Sequence, residues 1–239
     1  MTDPAHNRRR GIERIFVVVP AHNEQCLLPA CLASLSAAAA HVPVPVEVTV
    51  VLDTCTDATR RAVPRHVNTL EVSYRSVGAA RRAGFAEPFG YLDAGALATT
   101  WLATTDADST VPAHWFAQQL TSAAAGADGY AGTVTPRDWV GWPDHTALRF
   151  AQRYRGRDGH RHIHGANLAF RAQAYAAVGG FSTISAHEDV DLVRRLEADG
   201  ARIAWCGRAP VVTSTRRRSR TDGGFATYLH SLTGPVAPS

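Results

Sequence analysis

The chain of 239 residues contains no lysine, so all 25 of its basic residues are arginine. Together with the abundance of alanine, this indicates a coding bias and says little about function. The four cysteines form no Cys-x-x-Cys pair and no tight framework, which argues against a structural zinc site and against a disulfide scaffold. A reduced compartment, the cytosol, fits this cysteine pattern best.

Long apolar runs are also missing. No stretch reaches the roughly 18 to 20 apolar residues needed to cross a bilayer, and the N-terminus has no apolar segment typical of a secretion signal. We therefore expect a cytoplasmic protein without a transmembrane segment. With 45% hydrophobic and 19% charged residues, the chain can bury a substantial core as one domain, or as one domain with a small appendage.

The net charge is only +4, and two clusters of arginine lie near the two ends. One cluster is Arg8–Arg10, and the other is Arg216–Arg218 with Arg220. No aromatic residues that would stack on bases are interleaved with the first cluster, so nucleic acid is not an expected partner.

Strand-like and helix-like segments alternate in the first half of the chain. Apolar, β-branched runs predict strands at 14–20, 46–52, 70–74 and 99–104, and helices are predicted at 23–40 and 76–98. Residues 56–59 are expected to open another helix, and residues 108–112 have the composition of a helix start. This alternation predicts an α/β protein with a mostly parallel sheet flanked by helices.

Three polar clusters follow predicted strands or open a helix, at residues 20–24, 52–57 and 77–84. Ligands of such sheets bind beyond the carboxyl ends of the strands, and free amides at a helix start favour an anion. Each cluster also has a purely structural explanation: helix caps for Asn23 and Asp57, helix packing for Gly78 and Gly84, and a solvated face for Arg81 and Arg82. Their shared placement favours a binding site.

The most informative motif is Thr105-Asp106-Ala107-Asp108, directly after the predicted strand at 99–104. Two carboxylates on a tight turn can face one small cation. Hard oxygen ligands suit Mg²⁺ or Mn²⁺, and substrate phosphates and water commonly complete the shell. The motif is therefore typical of a site that holds a nucleotide diphosphate, although an isolated Asp-x-Asp is also common as a turn or helix cap.

These segments, taken in order, resemble the nucleotide-sugar half of family 2 glycosyltransferases with the GT-A fold. The resemblance rests on residues 17–24, 52–59, 78–84 and 105–108, and it continues through 164–171 and 187–192. It implies one GT-A domain at 14–215, with a nucleotide-sugar half at 14–110 and an acceptor half at 111–215. A flexible basic tail at 1–13 and an Arg-rich, mobile segment at 216–239 would flank this domain.

The resemblance also implies a role for each matching residue. Asp53 would accept a hydrogen bond from the nucleoside base, Arg81 would contact base or phosphate, Asp106 would lie near ribose and metal, and Asp108 would bind the metal directly. The complete expected donor set is Pro20, Ala21, Asn23, Glu24, Asp53, Gly78, Arg81, Asp106, Ala107 and Asp108. The chain departs from the family pattern at Thr54, where many members have glycine or another small polar residue, and at Ala58, where glycine is common. Neither change removes a charge that the chemistry needs.

Transfer of a sugar to a hydroxyl requires a base for the proton, while a cation stabilises the leaving diphosphate. The resemblance assigns the base to Asp189 and implies a single displacement with inversion. The alternative is that Glu188, Asp189 and Asp191 only favour a helix N-terminus electrostatically.

Acceptor-pocket candidates are His164, Gly165, Asn167 and Glu188, with Trp139 and Trp142 nearby. A structural histidine and core tryptophans are equally good explanations of His164 and of the two Trp residues. Arg216 and Arg218 would contact the diphosphate or an anionic acceptor from a closing segment, unless they belong to a basic tail.

We therefore predict a metal-dependent glycosyltransferase of the hexosyltransferase type that uses a UDP-, GDP- or TDP-sugar and an acceptor hydroxyl of unknown type. Two alternatives remain open: a non-catalytic nucleotide-sugar binding protein, and a sugar-nucleotide nucleotidyltransferase, whose glycine-rich N-terminal loop is absent. A dinucleotide-dependent dehydrogenase is disfavoured because no Gly-x-Gly-x-x-Gly follows the first strand.

Overall fold

A seven-stranded sheet organises the computed structural model, which describes residues 11–217 and 224–234. The strand order is β3-β2-β1-β4-β6-β5-β7. All neighbours pair in parallel except β6, which runs antiparallel to β4 and to β5. The prediction of an α/β domain with a mostly parallel sheet is confirmed. The strands are β1 (Arg14–Ala21), β2 (Val46–Asp53), β3 (Asn68–Val72), β4 (Thr100–Thr104), β5 (Gly129–Pro136), β6 (Leu168–Arg171) and β7 (Ile203–Thr213).

Helices cover both faces of this sheet. In the central strand β1, Val17 and Val19 pack into one hydrophobic layer, and Phe16 and Val18 pack into the other. Successive side chains of a strand point to opposite faces, so a strand covered on both sides is apolar throughout its length. The helices are α1 (Leu28–Ala39), α2 (Val77–Phe89), α3 (Ala94–Thr99), α4 (Trp115–Ala124), α5 (Asp144–Arg153), α6 (Ala172–Ala177), α7 (Glu188–Ala198) and α8 (Phe225–Ser231).

Several predicted helix limits were wrong for local reasons. The helix expected at 23–40 begins only at Leu28, where Leu27 is the N-cap residue and Pro29 lies in the first turn. Asn23 itself has a left-handed backbone with φ 54°. The helix expected from residue 56 is a single 3₁₀ turn at Thr59–Ala62, since Val63 is extended before Pro64.

The other two differences concern longer segments. The region 76–98 divides into α2 and α3, with Asp93 capping α3 by accepting a hydrogen bond from the backbone N–H of Ala96 at 2.7 Å. Residues 108–112 do not start a helix, because Thr110 pairs with Val212 beside β7 and α4 begins only at Trp115.

The described part of the C-terminal segment packs against the domain, and its expected mobility remains a prediction. Leu229 and Leu232 of the α8 region are buried against Trp142, and the indole N–H of Trp142 donates to the carbonyl of Thr215 at 2.7 Å. Arg218 and Arg220 lie outside the described residues. The predicted domain limits remain predictions. In the described ranges, no helix combines the length and apolar character needed to span a bilayer.

Candidate active site at the carboxyl edge of the sheet

A cavity of about 540 Å³ lies where β1, β2, β4 and β7 end. Parallel strands bring their carboxyl ends to one edge, which is where ligands of open α/β sheets bind. The predicted residues that line this cavity are Pro20, Ala21, Glu24, Asp53, Arg81, Asp106, Ala107, Asp108, His164, Gly165, Glu188, Asp189 and Arg216.

Three predicted residues lie elsewhere in the described structure. Asn23 accepts hydrogen bonds from the backbone N–H groups of Thr56 and Asp57, which holds two loops together. Gly78 packs against the start of α7, where an added Cβ would approach Glu188 Cγ to 2.9 Å. Asn167 is fully buried and bonds to Trp115, Thr133 and Ala209. These contacts agree with structural roles for all three.

Asp53, at the end of β2, fixes the loop between β3 and α2. Its Oδ1 accepts from the backbone N–H groups of Tyr74 at 2.8 Å and Arg75 at 2.9 Å, and from Thr54 Oγ1 at 2.9 Å. Its Oδ2 accepts from Ser76 N at 3.0 Å and keeps further capacity for a donor in the cavity. Asp53 thus has a structural role at the edge of the cavity, where it holds this loop.

The turn after β4 presents Asp106 and Asp108, and each carboxylate already meets an arginine. Asp106 Oδ1 lies 2.6 Å from Arg81 Nη2, while Asp108 Oδ2 contacts Arg216. Arg216 also lies 2.6 Å from Glu24. Desolvation and the neighbouring carboxylates, against the opposing effect of Arg81, raise the pKa of Asp106 to about 6. The end of the cavity that Glu24, Asp106 and Asp108 line is therefore a dense network of alternating charges.

This network fits a small cation that is held jointly with a diphosphate. Among residues 11–217 and 224–234, no three His, Cys, Asp or Glu side chains converge on a metal position. Arg81 engages Oδ1 of Asp106, and Arg216 engages Oδ2 of Asp108. Asp108 Oδ1 accepts from Ser109 Oγ at 3.3 Å, and a carboxylate oxygen can accept about two such contacts, so both carboxylates retain capacity for a cation. Mg²⁺ commonly takes one or two carboxylates and completes its shell with phosphate oxygens and water.

Asp189 lies in the first turn of α7, as the sequence predicts for this helix start. Its Oδ2 accepts the backbone N–H of Gly165 at 2.8 Å, and its Oδ1 accepts that of Val190 at 2.8 Å. Each carboxylate oxygen can accept about two hydrogen bonds, so both retain capacity toward the cavity. The preceding His187 has φ 61°, and this left-handed residue turns the chain into the helix.

The opposite wall is aromatic and apolar. His164 Nε2 lies 2.9 Å from the Tyr154 hydroxyl, which itself accepts the Val134 N–H at 3.0 Å. Phe225 of α8 meets the His164 ring edge-to-face at 6.0 Å. Burial, together with the neighbouring His162 and His160, lowers the pKa of His164 to about 3.

This pKa predicts how stability depends on pH. The unfolded chain binds a proton at His164 near pH 6.5 and the folded protein only near 3, so acidification below about 6.5 favours unfolding. His164→Asn should therefore lose less free energy of unfolding between pH 7 and 4 than wild type, as measured by urea denaturation. His160 and His162, whose pKa values burial also lowers, contribute the same trend in both proteins. The exposed His66→Asn control should keep the wild-type slope, and equal slopes for all three proteins would contradict the prediction.

The cavity residues that the sequence did not predict include His22, Arg75 and Phe225. His22 lies within the predicted cluster at 20–24, and its Nδ1 is 2.7 Å from the carbonyl of Asp53, so its position was an available signal. Arg75 and Phe225 have no motif around them. Trp139 and Trp142, which were expected near the acceptor, pack against Phe150 and α8 and are absent from the described cavity wall.

Solved structures with a similar fold are GT-A glycosyltransferases. Residues 1–349 of S. aureus TarS in complex with UDP-GlcNAc match with a TM-score of 0.62 at 15% identity, over 92% of this chain and 65% of that chain. The mannosyltransferase PcManGT from Pyrobaculum calidifontis, in complex with GDP-Man and Mn²⁺, matches with a TM-score of 0.61 at 21% identity, over 92% of this chain and 61% of that chain. The chain thus spans less than two thirds of either structure's length.

Sequence comparison identifies the family directly. The profile of glycosyl transferase family 2 matches residues 16–179. The chain therefore belongs to glycosyl transferase family 2. No curated protein matches the chain.

Proposed function

We propose that the protein transfers a sugar from a nucleoside diphosphate sugar to an acceptor hydroxyl, with Asp189 as general base and with inversion. The observation that carries this proposal is the convergence of the Asp106-Ala107-Asp108 turn and Asp189 on one cavity. The turn suits a cation with a diphosphate, and Asp189 suits a proton acceptor. The neighbouring structures, with UDP-GlcNAc and GDP-Man, support a nucleotide sugar as donor.

The donor would occupy the end of the cavity formed by Pro20, Ala21, Glu24 and Asp53. Asp53 Oδ2 would accept an N–H of the base. A divalent cation, Mg²⁺ or Mn²⁺, would be held by Asp106 and Asp108 and would offset the charge that develops on the leaving diphosphate. The neighbour that contains Mn²⁺ supports this choice of ion class.

The acceptor would lie between Asp189 and the wall of His164 and Phe225. Its oxygen forms the new bond to the anomeric carbon while the bond from that carbon to the diphosphate oxygen breaks. The hydroxyl proton passes to an oxygen of Asp189, whose orientation the Gly165 N–H fixes at 2.8 Å. One displacement at the anomeric carbon inverts its configuration. The neighbouring carboxylate, Glu188, is paired with Arg81, so its role in this proposal is to support Asp189 and not to take the proton.

A screen of UDP-, GDP- and TDP-sugars by thermal unfolding, with and without Mn²⁺, tests the donor site. A ligand that binds only the folded protein raises its stability. We expect one nucleotide class to raise the melting temperature, and the shift to depend on the metal. If no nucleotide sugar shifts the melting temperature, the proposal is contradicted.

The cytoplasmic location remains a prediction from the cysteine pattern.

Arg216 is expected to carry part of the donor affinity. It contacts Glu24 and Asp108 at the donor end, so its charge would meet the diphosphate there. Because charge-assisted hydrogen bonds contribute about 1.5 to 3 kcal/mol, Arg216→Gln should weaken donor binding by about 10- to 100-fold in isothermal titration calorimetry. Arg217→Gln is the matched control, since Arg217 lies over the Trp142 ring. Equal affinities of the two variants would remove Arg216 from the donor site.

A further inference from the structure

Arg81 is a buried arginine that joins the two halves of the cavity. It lies in α2, and its side chain is only 2% exposed. Its Nη2 lies 2.6 Å from Asp106 Oδ1 in the turn after β4, and its Nη1 contacts Glu188 Oε1 in the first turn of α7. One guanidinium thus bridges the expected donor turn and the helix that carries Asp189.

The remaining surroundings fix this guanidinium in place. Its Nε donates to Thr104 Oγ1 at 3.2 Å, and its Cζ lies 5.6 Å from the centre of the Phe181 ring. A charge in such a buried position is tolerated only when it is paired and hydrogen-bonded. The planar fork of arginine can satisfy two carboxylates and a hydroxyl at once, which a lysine ammonium in the same space cannot do with the same geometry.

Two glycines permit this arrangement. A Cβ on Gly165 would lie 2.4 Å from Arg81 Nη2, so only glycine lets the guanidinium lie against the backbone there. A Cβ on Gly78 would lie 2.9 Å from Glu188 Cγ, so this glycine lets α7 approach α2. Gly165 is also the residue whose N–H holds Asp189 Oδ2 at 2.8 Å. The guanidinium therefore packs against the backbone segment that orients Asp189.

We propose that Arg81 is a positioning residue that couples the Asp106 turn to Asp189 through Glu188 and Gly165. Its consequence for turnover rests on the proposed function, in which Asp189 is the base. Arg81 acts on the reaction by holding the first turn of α7 and Gly165 in a fixed position relative to the Asp106 turn. This differs from the contact with base or phosphate that the family resemblance implies for Arg81.

Hydrogen exchange at the Gly165 amide tests the coupling without any substrate. This amide reports directly on the bond to Asp189, and its protection should fall at least tenfold in Arg81→Lys and in Glu188→Gln. The control is Arg195→Gln, which breaks a 2.8 Å ion pair with Asp191 on the same helix, outside the described cavity wall. It should leave Gly165 protection unchanged. Wild-type protection of Gly165 in both Arg81→Lys and Glu188→Gln would overturn the proposal.

Kinetics with the donor and acceptor of the wild-type protein supply the second readout. We expect kcat to fall about 10- to 100-fold in Glu188→Gln while the donor KM changes less than threefold. The double variant Arg81→Lys/Glu188→Gln should lose no more than Arg81→Lys alone, since residues that act as a unit are not additive. If the kcat losses of the two single variants multiply in the double variant, or if only the donor KM changes, the proposed coupling is wrong.

Gly165→Ala provides an independent variant if Arg81→Lys fails to fold. Its Cβ should displace the guanidinium and reproduce the kcat loss with donor affinity retained, while normal turnover would count against the proposal. A wild-type protein that is inactive with every nucleotide sugar would refute the proposed function. In that case the exchange experiment would still decide the role of Arg81.

Discussion

Asp189→Asn is expected to bind the nucleotide sugar as tightly as wild type and to lose turnover by about 100- to 10,000-fold, the range typical of removing a general base. An amide has nearly the same shape as the carboxylate but cannot take the acceptor proton. Its oxygen can still accept the Gly165 N–H that orients residue 189. Titration calorimetry should therefore show an unchanged donor affinity, while steady-state kinetics should show the loss of kcat.

Asp191→Asn is the matched control for this prediction. Asp191 lies two residues further along α7, where it pairs with Arg195 at 2.8 Å and is not part of the described cavity wall. The helix-cap explanation of Asp189 predicts a stability loss of at most about 1 kcal/mol and near-normal turnover, because asparagine also serves at helix starts. Near-normal turnover of Asp189→Asn would rule out its role as base.

Asp108→Asn is expected to abolish the part of donor binding that depends on a divalent cation. The neutral amide is a poorer ligand of similar shape, so the fold should be retained while Mn²⁺ no longer increases donor affinity. Titration calorimetry with and without Mn²⁺ measures this difference. The carboxylate that still pairs with Arg216 in this variant would be Glu24, which lies 2.6 Å away.

Asp93→Asn provides the control for the metal experiment. Asp93 is an exposed N-cap residue of α3, and asparagine caps helices equally well. This variant should keep the full effect of Mn²⁺ on donor binding. If Asp108→Asn also keeps this effect, Asp108 is not a metal ligand.

The sequence predicts the buried strands of this fold well, because a strand that is covered on both faces must be apolar along its length. β1, β2 and β4 lie within two residues of their predicted limits. Helix starts were predicted less well, because they depend on single backbone conformations such as the left-handed φ of 54° at Asn23. The pairing of Thr110 with Val212 could not be predicted locally, since the two residues are far apart in the chain.

The candidate site likewise has residues that the sequence predicts and residues that it does not. Motifs identify Asp106, Asp108 and Asp189 as candidates, and the fold brings them to one cavity. The partners of Arg81 could not be predicted, because Glu188 lies 107 residues further along the chain. Phe225 belongs to a helix of seven residues, which is too short to give a clear periodic signal. Asn167 matches the family pattern, yet its contacts place it in the core.

Product analysis tests the central claim most directly. The protein would be incubated with the nucleotide sugar that stabilises it, Mn²⁺ and a panel of hydroxyl acceptors, and the products would be quantified by mass spectrometry. We predict one nucleoside diphosphate released for each glycosylated acceptor, and neither product with Asp189→Asn. Formation or consumption of pyrophosphate would instead identify a nucleotidyltransferase. Tight donor binding without any glycosylated product would identify a binding protein. Either result would contradict the account.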